Sequence, residues 1–189
     1  LKTHNVTFRF LDLGCTIGVG CKTYAFSNID VALEEFSSYV KNPSEGALGA
    51  NFPHVIRSIR QQVLPELPLS VAIGDAPYKP GTTALAALGA AACGVQFVKV
   101  GLYGTKTTHQ AVILLKEVCR AVRDYDATIK IIAAAYADAH KIGAFPCLES
   151  PAVAAEAGAD GCMLDTAGKG GTSLFSYLGN GELNQFVLN

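Results

Sequence analysis

From residue 69 onward, short apolar runs alternate with helical segments, and each run stops at charge or glycine. Leu69-Ser-Val-Ala-Ile-Gly74 ends at Asp75. After the loop 76–81, Thr82 and Thr83 are placed to cap an Ala/Leu-rich helix that ends near Cys93 and Gly94. Val95-Gln-Phe-Val-Lys-Val100 reads as the next strand, closed by Gly101-Leu-Tyr-Gly104. His109 to Arg123 carries helical spacing through Val112, Leu115, Val118, Cys119 and Val122. Strands near 129–134 and 161–165 flank a helical segment from Pro151 to Ala157. Upstream, Ser38-Tyr-Val-Lys41 and the helix Pro53 to Val63 add one more unit, and a last helix runs from Glu182 to Val187. Strands that alternate with helices imply right-handed βαβ units and a parallel sheet. Two architectures fit: a (β/α) barrel or a doubly wound sheet. No Gly-x-Gly-x-x-Gly follows a strand, which weakens a dinucleotide-binding version.

Composition narrows the class. Half of the 189 residues are hydrophobic and 16% are charged, which suits a close-packed α/β domain and argues against disorder. A net charge of −1 without a basic run makes nucleic acid an unsuitable partner. Every apolar stretch is interrupted before the ~18 residues of a membrane span, so no membrane association is expected. The cysteines at 15, 21, 93, 119, 147 and 162 form no C-x-x-C pair and read as reduced core thiols of a cytoplasmic protein. The histidines at 4, 54, 109 and 140 lack metal-ligand spacing, so no metal is expected. Gly14 to Thr23 imitates a phosphate loop, but Cys21 stands where glycine must precede Lys22.

Lysines recur where strands end: Lys41 in Y-V-K-N-P, Lys99 in F-V-K-V-G-L-Y-G and Lys169 in M-L-D-T-A-G-K. Alternation puts Phe97, Lys99 and Gly101 on one face of their strand and Val98 and Val100 on the other. An ammonium facing the helices would be severely desolvated, so Lys99 belongs on the inner face. Catalytic groups of parallel barrels come from the carboxyl ends of several strands. A lysine partly desolvated, or beside another cation, becomes a usable nucleophile or base. That chemistry suits a carbonyl substrate and a Schiff base, with Asp165 orienting the amines or shuttling protons. Spacing alone does not rank the lysines.

Five stretches together resemble the (5-formylfuran-3-yl)methyl phosphate synthase family: V-K-N-P-S-E-G-A-L-G-A-N-F-P (40–53), V-A-I-G-D-A-P-Y-K-P-G-T (71–82), F-V-K-V-G-L-Y-G (97–104), A-A-Y-A-D-A (134–139) and M-L-D-T-A-G-K (163–169). The resemblance covers roughly residues 40 to 187. It implies a TIM-barrel lyase of methanofuran biosynthesis that condenses two glyceraldehyde 3-phosphate molecules, with loss of phosphate and water. Lys41 is then the Schiff-base lysine, Lys99 the proton acceptor, and Asp165 and Lys169 supporting catalytic residues. Asp75, Lys79 and Tyr103 are the expected substrate-binding residues, the substrate is a phosphorylated triose, and no cofactor is implied.

The family's aspartate before V-K-N-P is Tyr39 here. Residues 1–37 form a separate segment that could replace strand 1 and helix 1, although 27–35 resembles the family's first helix. Since an eight-unit barrel takes about 250 residues, residues 38–189 are expected to form a partial (β/α)8 TIM barrel lacking its last two βα units. Such a truncated or damaged copy would have open edges that favour association, including a homo-oligomer. Two alternatives stand beside this reading: another Schiff-base aldolase acting on a sugar phosphate, and a non-catalytic barrel fragment.

Overall fold

A computed structural model describes residues 38–75, 77–168 and 172–188. The expectations for residues 1–37 and for Lys169 lie outside the described residues. Five parallel strands pair in sequential order: β1 (Ser38–Val40), β2 (Leu69–Ala72), β3 (Phe97–Gly101), β4 (Lys130–Tyr136) and β5 (Gly161–Asp165). The helices are α1 (Pro53–Gln62), α2 (Pro80–Ala91), α3 (Thr108–Tyr125), α4 (Ala139–Ile142), α5 (Ser150–Ala157) and α6 (Asn180–Leu188).

The strand order decides between the two expected architectures. A doubly wound sheet reverses direction at a switch point and carries helices on both faces. Here the order never reverses, and α1, α2, α3 and α5 all pack into one core with Val71, Val98, Val100, Ile131 and Ala133. The doubly wound alternative is therefore set aside.

Local sequence explains where the helices begin. Thr107 caps α3, its hydroxyl oxygen accepting the Gln110 N–H at 3.2 Å. The α3 stripe of Val112, Leu115, Val118 and Val122 is buried, each such side chain worth about 1.5–3 kcal/mol of transfer free energy. The start of α2 differs from expectation. Pro80 opens it, Lys79 occupies the cap position, and Thr83 lies in the first turn with its hydroxyl donating back to the Lys79 carbonyl at 3.1 Å. Proline suits that first position because its φ is already helical and a missing N–H costs nothing there. Strand β4 also runs further than expected, to Tyr136.

The inner face, turned away from the long helices, is of another kind. Ala72, Ala134, Tyr136 and Met163 form a second, smaller cluster with Ala47 and Leu48 from the loop after β1. Tyr39 and Ile132 pack against it.

Candidate functional site

The polar groups of the inner face gather toward the carboxyl ends of the strands. Lys41 follows β1 directly, Asp75 lies three residues past β2, Lys99 is central in β3, and Tyr136 and Asp165 end β4 and β5. Both lysines are buried, at 4% and 3% exposure, which is unusual for this residue type and puts their ammonium groups inside the protein. They share one aromatic surface. Lys99 Nζ lies 3.7 Å from the centroid of the Tyr39 ring and Lys41 Nζ lies 5.5 Å from it. The electron-rich face of a phenol attracts cations at such distances. Tyr39 thus lies against both lysines, at the position where the resemblance places an aspartate.

Across the face, Tyr136 is 1% exposed and donates its hydroxyl hydrogen to Asp75. Burial, then the neighbouring Asp75 carboxylate, hold its phenol well above the usual tyrosine range, and Asp165 and Tyr39 act in the same direction. Tyr136 stands opposite Asp165 in the β4–β5 register and meets the Tyr103 ring edge-on at 5.8 Å. It therefore connects Asp75, Tyr103 and the end of β5. An open pocket of about 460 Å³ adjoins it, lined in part by Asp75, Tyr78, Tyr103, Lys106 and Gln110.

The expected substrate-binding residues separate here. Asp75 and Tyr103 line the pocket. Lys79 is exposed at the start of α2 and is absent from that lining, whereas Lys106, not singled out in the sequence, is part of it.

Asp138 is a further buried carboxylate, 1% exposed. It accepts the N–H groups of Ala167 and Gly168 at 2.8 and 2.9 Å and so shapes the turn that follows β5. Burial alone would raise its pKa, but those two hydrogen bonds, its own N–H and the Lys141 charge together outweigh burial and hold it below the usual carboxylate range. Among the described residues, no group of three His, Cys, Asp or Glu side chains is arranged to hold a metal ion. No helix among them is long and apolar enough to cross a membrane.

The family model described as 4-HFC-P synthase matches residues 39–189, which includes every described part of this site. The chain belongs to that family. The (5-formylfuran-3-yl)methyl phosphate synthase of Methanothermobacter thermautotrophicus is 51% identical over 148 residues, covering 78% of this chain and 62% of the relative. The synthase of the same name from Methanopyrus kandleri gives the same identity and coverage. A relative from Streptomyces griseus, named putative (5-formylfuran-3-yl)methyl phosphate synthase, is 52% identical over 148 residues, 78% of this chain and 59% of its own. The matched part of this chain thus spans about three-fifths of the length of these curated relatives.

Within this 4-HFC-P synthase family member, sequence reasoning passed over Tyr136 and Asp138. Both lie in A-A-Y-A-D-A, and Tyr136 follows Ala134 on the inner-face parity of β4. The same pattern of a strand running into polar groups that singled out Asp165 was present there.

Proposed function

We propose that the inner face carries a lysine-dependent lyase site that joins two glyceraldehyde 3-phosphate molecules into (5-formylfuran-3-yl)methyl phosphate, for methanofuran biosynthesis. The observation that carries this reading is the pair of buried lysines around one aromatic ring, on the face that the long helices leave bare. The names of the relatives supply the product. The sequential parallel order with helices on one face supports a partial (β/α)8 TIM barrel, in which groups at the carboxyl ends of strands do the chemistry.

Lys41 is the imine former in this scheme. Its neutral amine adds to the aldehyde carbon and water leaves, so the C–H beside the imine becomes acidic. Lys99 takes that proton, and the resulting enamine carbon attacks the carbonyl of the second triose phosphate. Hydrolysis of the imine consumes one water, which cancels the one released when it formed. Ring closure and aromatisation then expel one inorganic phosphate and, overall, two waters, with no net oxidation or reduction. Asp165 and Lys169 support these proton transfers. Asp75 and Tyr103 face the pocket that would receive the substrate. The described thiols of Cys93, Cys119, Cys147 and Cys162 are unpaired, as a reducing cytoplasm would keep them.

The test follows inorganic phosphate and furan absorbance together after addition of glyceraldehyde 3-phosphate. The proposal expects both to rise in equal amounts, and both to be lost in Lys41→Ala and Lys99→Ala. An aldol product formed without phosphate release would identify a different Schiff-base aldolase. Turnover that survives Lys41→Ala would refute the imine.

A further inference from the structure

Four strand ends meet at one carboxylate. Asp75 Oδ2 accepts the backbone N–H of Leu48 at 2.9 Å, and Oδ1 accepts the Tyr136 hydroxyl. Leu48 is fully buried and belongs to the loop that leaves Lys41. That loop closes on itself through the Asn42 N–H, which donates to the Gly49 carbonyl at 2.8 Å.

Two glycines make room for the carboxylate. Gly46, in the same loop, has φ +125°, and a Cβ there would stand 2.8 Å from Asp75 Oδ2. Gly101 ends β3, where a Cβ would crowd Asp75 and stand 3.0 Å from the Tyr136 oxygen and 2.9 Å from the Gly74 carbonyl. The loop after β1, the end of β2, the end of β3 and the end of β4 are therefore built around one side chain. Both carboxylate oxygens face donors, one a backbone N–H and the other a phenol hydroxyl.

We propose that Asp75 is a positioning residue for Lys41: its carboxylate ties the loop that follows the lysine to Tyr136 on the far side of the inner face, and thereby fixes the amine for attack on the substrate carbonyl. The proposal rests on the reading of Lys41 as the imine-forming lysine. It differs from direct substrate binding by Asp75, because the carboxylate acts through backbone and phenol. Lys41 and Leu48 lie at the two ends of the loop closed by the Asn42–Gly49 hydrogen bond, so a loop freed from Asp75 lets the amine drift. A misplacement on the order of 1 Å can cost about 10²-fold in rate.

The experiment compares the unmodified chain with Asp75→Ala, which removes both acceptors, and with Tyr136→Phe, which leaves the Leu48 bond in place. Two quantities are read: amide hydrogen exchange at Leu48, and the rate of borohydride-trapped adduct at Lys41 as glyceraldehyde 3-phosphate is varied. Asp75→Ala should speed Leu48 exchange and slow trapping at saturating triose phosphate by at least about tenfold, with little change in the half-saturating concentration. Tyr136→Phe should speed Leu48 exchange no more than that of the core amides of β3, and should slow trapping by less. Faster Leu48 exchange with unchanged trapping would overturn the positioning role, as would a loss confined to the half-saturating concentration. Absence of any Lys41 adduct in the unmodified chain would instead defeat the imine reading, and the positioning role would fall with it. Leu48 exchange would still report separately whether the tie exists.

Discussion

On the face covered by helices, β3 presents Val98 and Val100 and β4 presents Ile131, Ala133 and Ala135, all buried against α2, α3 and α5. One residue away on the same strands, the other face carries Lys99 and Gly101 from β3 and Ile132, Ala134 and Tyr136 from β4. The outer set is uniform in chemistry and varied only in size. The inner set mixes cations, phenols, a carboxylate at the end of β5 and small residues that leave room for them. Lys99, Gly101, Ala134 and Tyr136 are as buried as the outer set, and Ile132 and Asp165 are half-buried, so burial alone does not separate core from site. Chemistry does: the outer face supplies most of the transfer free energy, and the inner face spends part of it to hold charge away from water.

The largest effects should come from exchanging a property between the faces. Leu115→Ala, on the α3 side that meets the sheet, should cost about 2–5 kcal/mol of unfolding free energy, measured by urea titration. Lys99→Met, equally buried, should reduce turnover by about 10²–10⁴-fold. Unchanged turnover per folded molecule in Lys99→Met would erase the distinction between the two faces.

Tyr136→Phe should follow, costing about 1–3 kcal/mol because the Asp75 carboxylate loses a donor. Its pH dependence has a definite sign. The folded phenol is held above the unfolded value of about 10, so its contribution is complete below that pH. It is lost as pH rises through the folded value. The last step of tyrosinate absorbance in an alkaline titration should disappear in the variant.

A smaller effect belongs to the opposite end of the sheet. Asp160 accepts the Ile131 N–H at 3.0 Å and pairs with Lys130 at 3.1 Å and Arg123 at 3.3 Å. Burial would raise its pKa, but these partners outweigh it and hold the carboxyl below the usual range. Its contribution is therefore present above the unfolded value of about 3.9 and is lost as pH falls through the folded one. Asp160→Asn should cost about 1 kcal/mol at neutral pH and flatten that part of the acid unfolding curve. The smallest change should be Lys116→Ala. It removes an exposed pair with Glu156 between α3 and α5, and should shift stability by about 0.2–1 kcal/mol, less in high salt.

The contrast between the faces also explains what could be read from the sequence. Strict alternation in F-V-K-V-G placed Lys99 inward, because valines flank it on both sides. In K-I-I-A-A-A-Y three successive alanines give no period of two, so the run into Tyr136 and Asp138 is visible but the face that Tyr136 takes is not. The tie at Asp75 was hidden for another reason. Its partners Leu48 and Tyr136 lie 27 and 61 residues away, and only the folded sheet brings them together. Gly46 and Gly101 were visible as glycines, but the carboxylate that requires them was not. The roles of Lys41 and Lys99 came from resemblance, since spacing could not order them. Cap positions erred where Pro80, a stronger helix starter, preceded the threonines.

The central claim is that a buried inner-face lysine forms a covalent imine with a triose phosphate. Peptide mapping by mass spectrometry after borohydride reduction with glyceraldehyde 3-phosphate tests it most directly. The account predicts a reduced triose phosphate adduct on the peptide that contains Lys41, blocked in Lys41→Ala and retained in Lys99→Met. An adduct on Lys99 with Lys41 unmodified would reverse the two roles, and labelling confined to exposed lysines such as Lys79 and Lys116 would contradict the account.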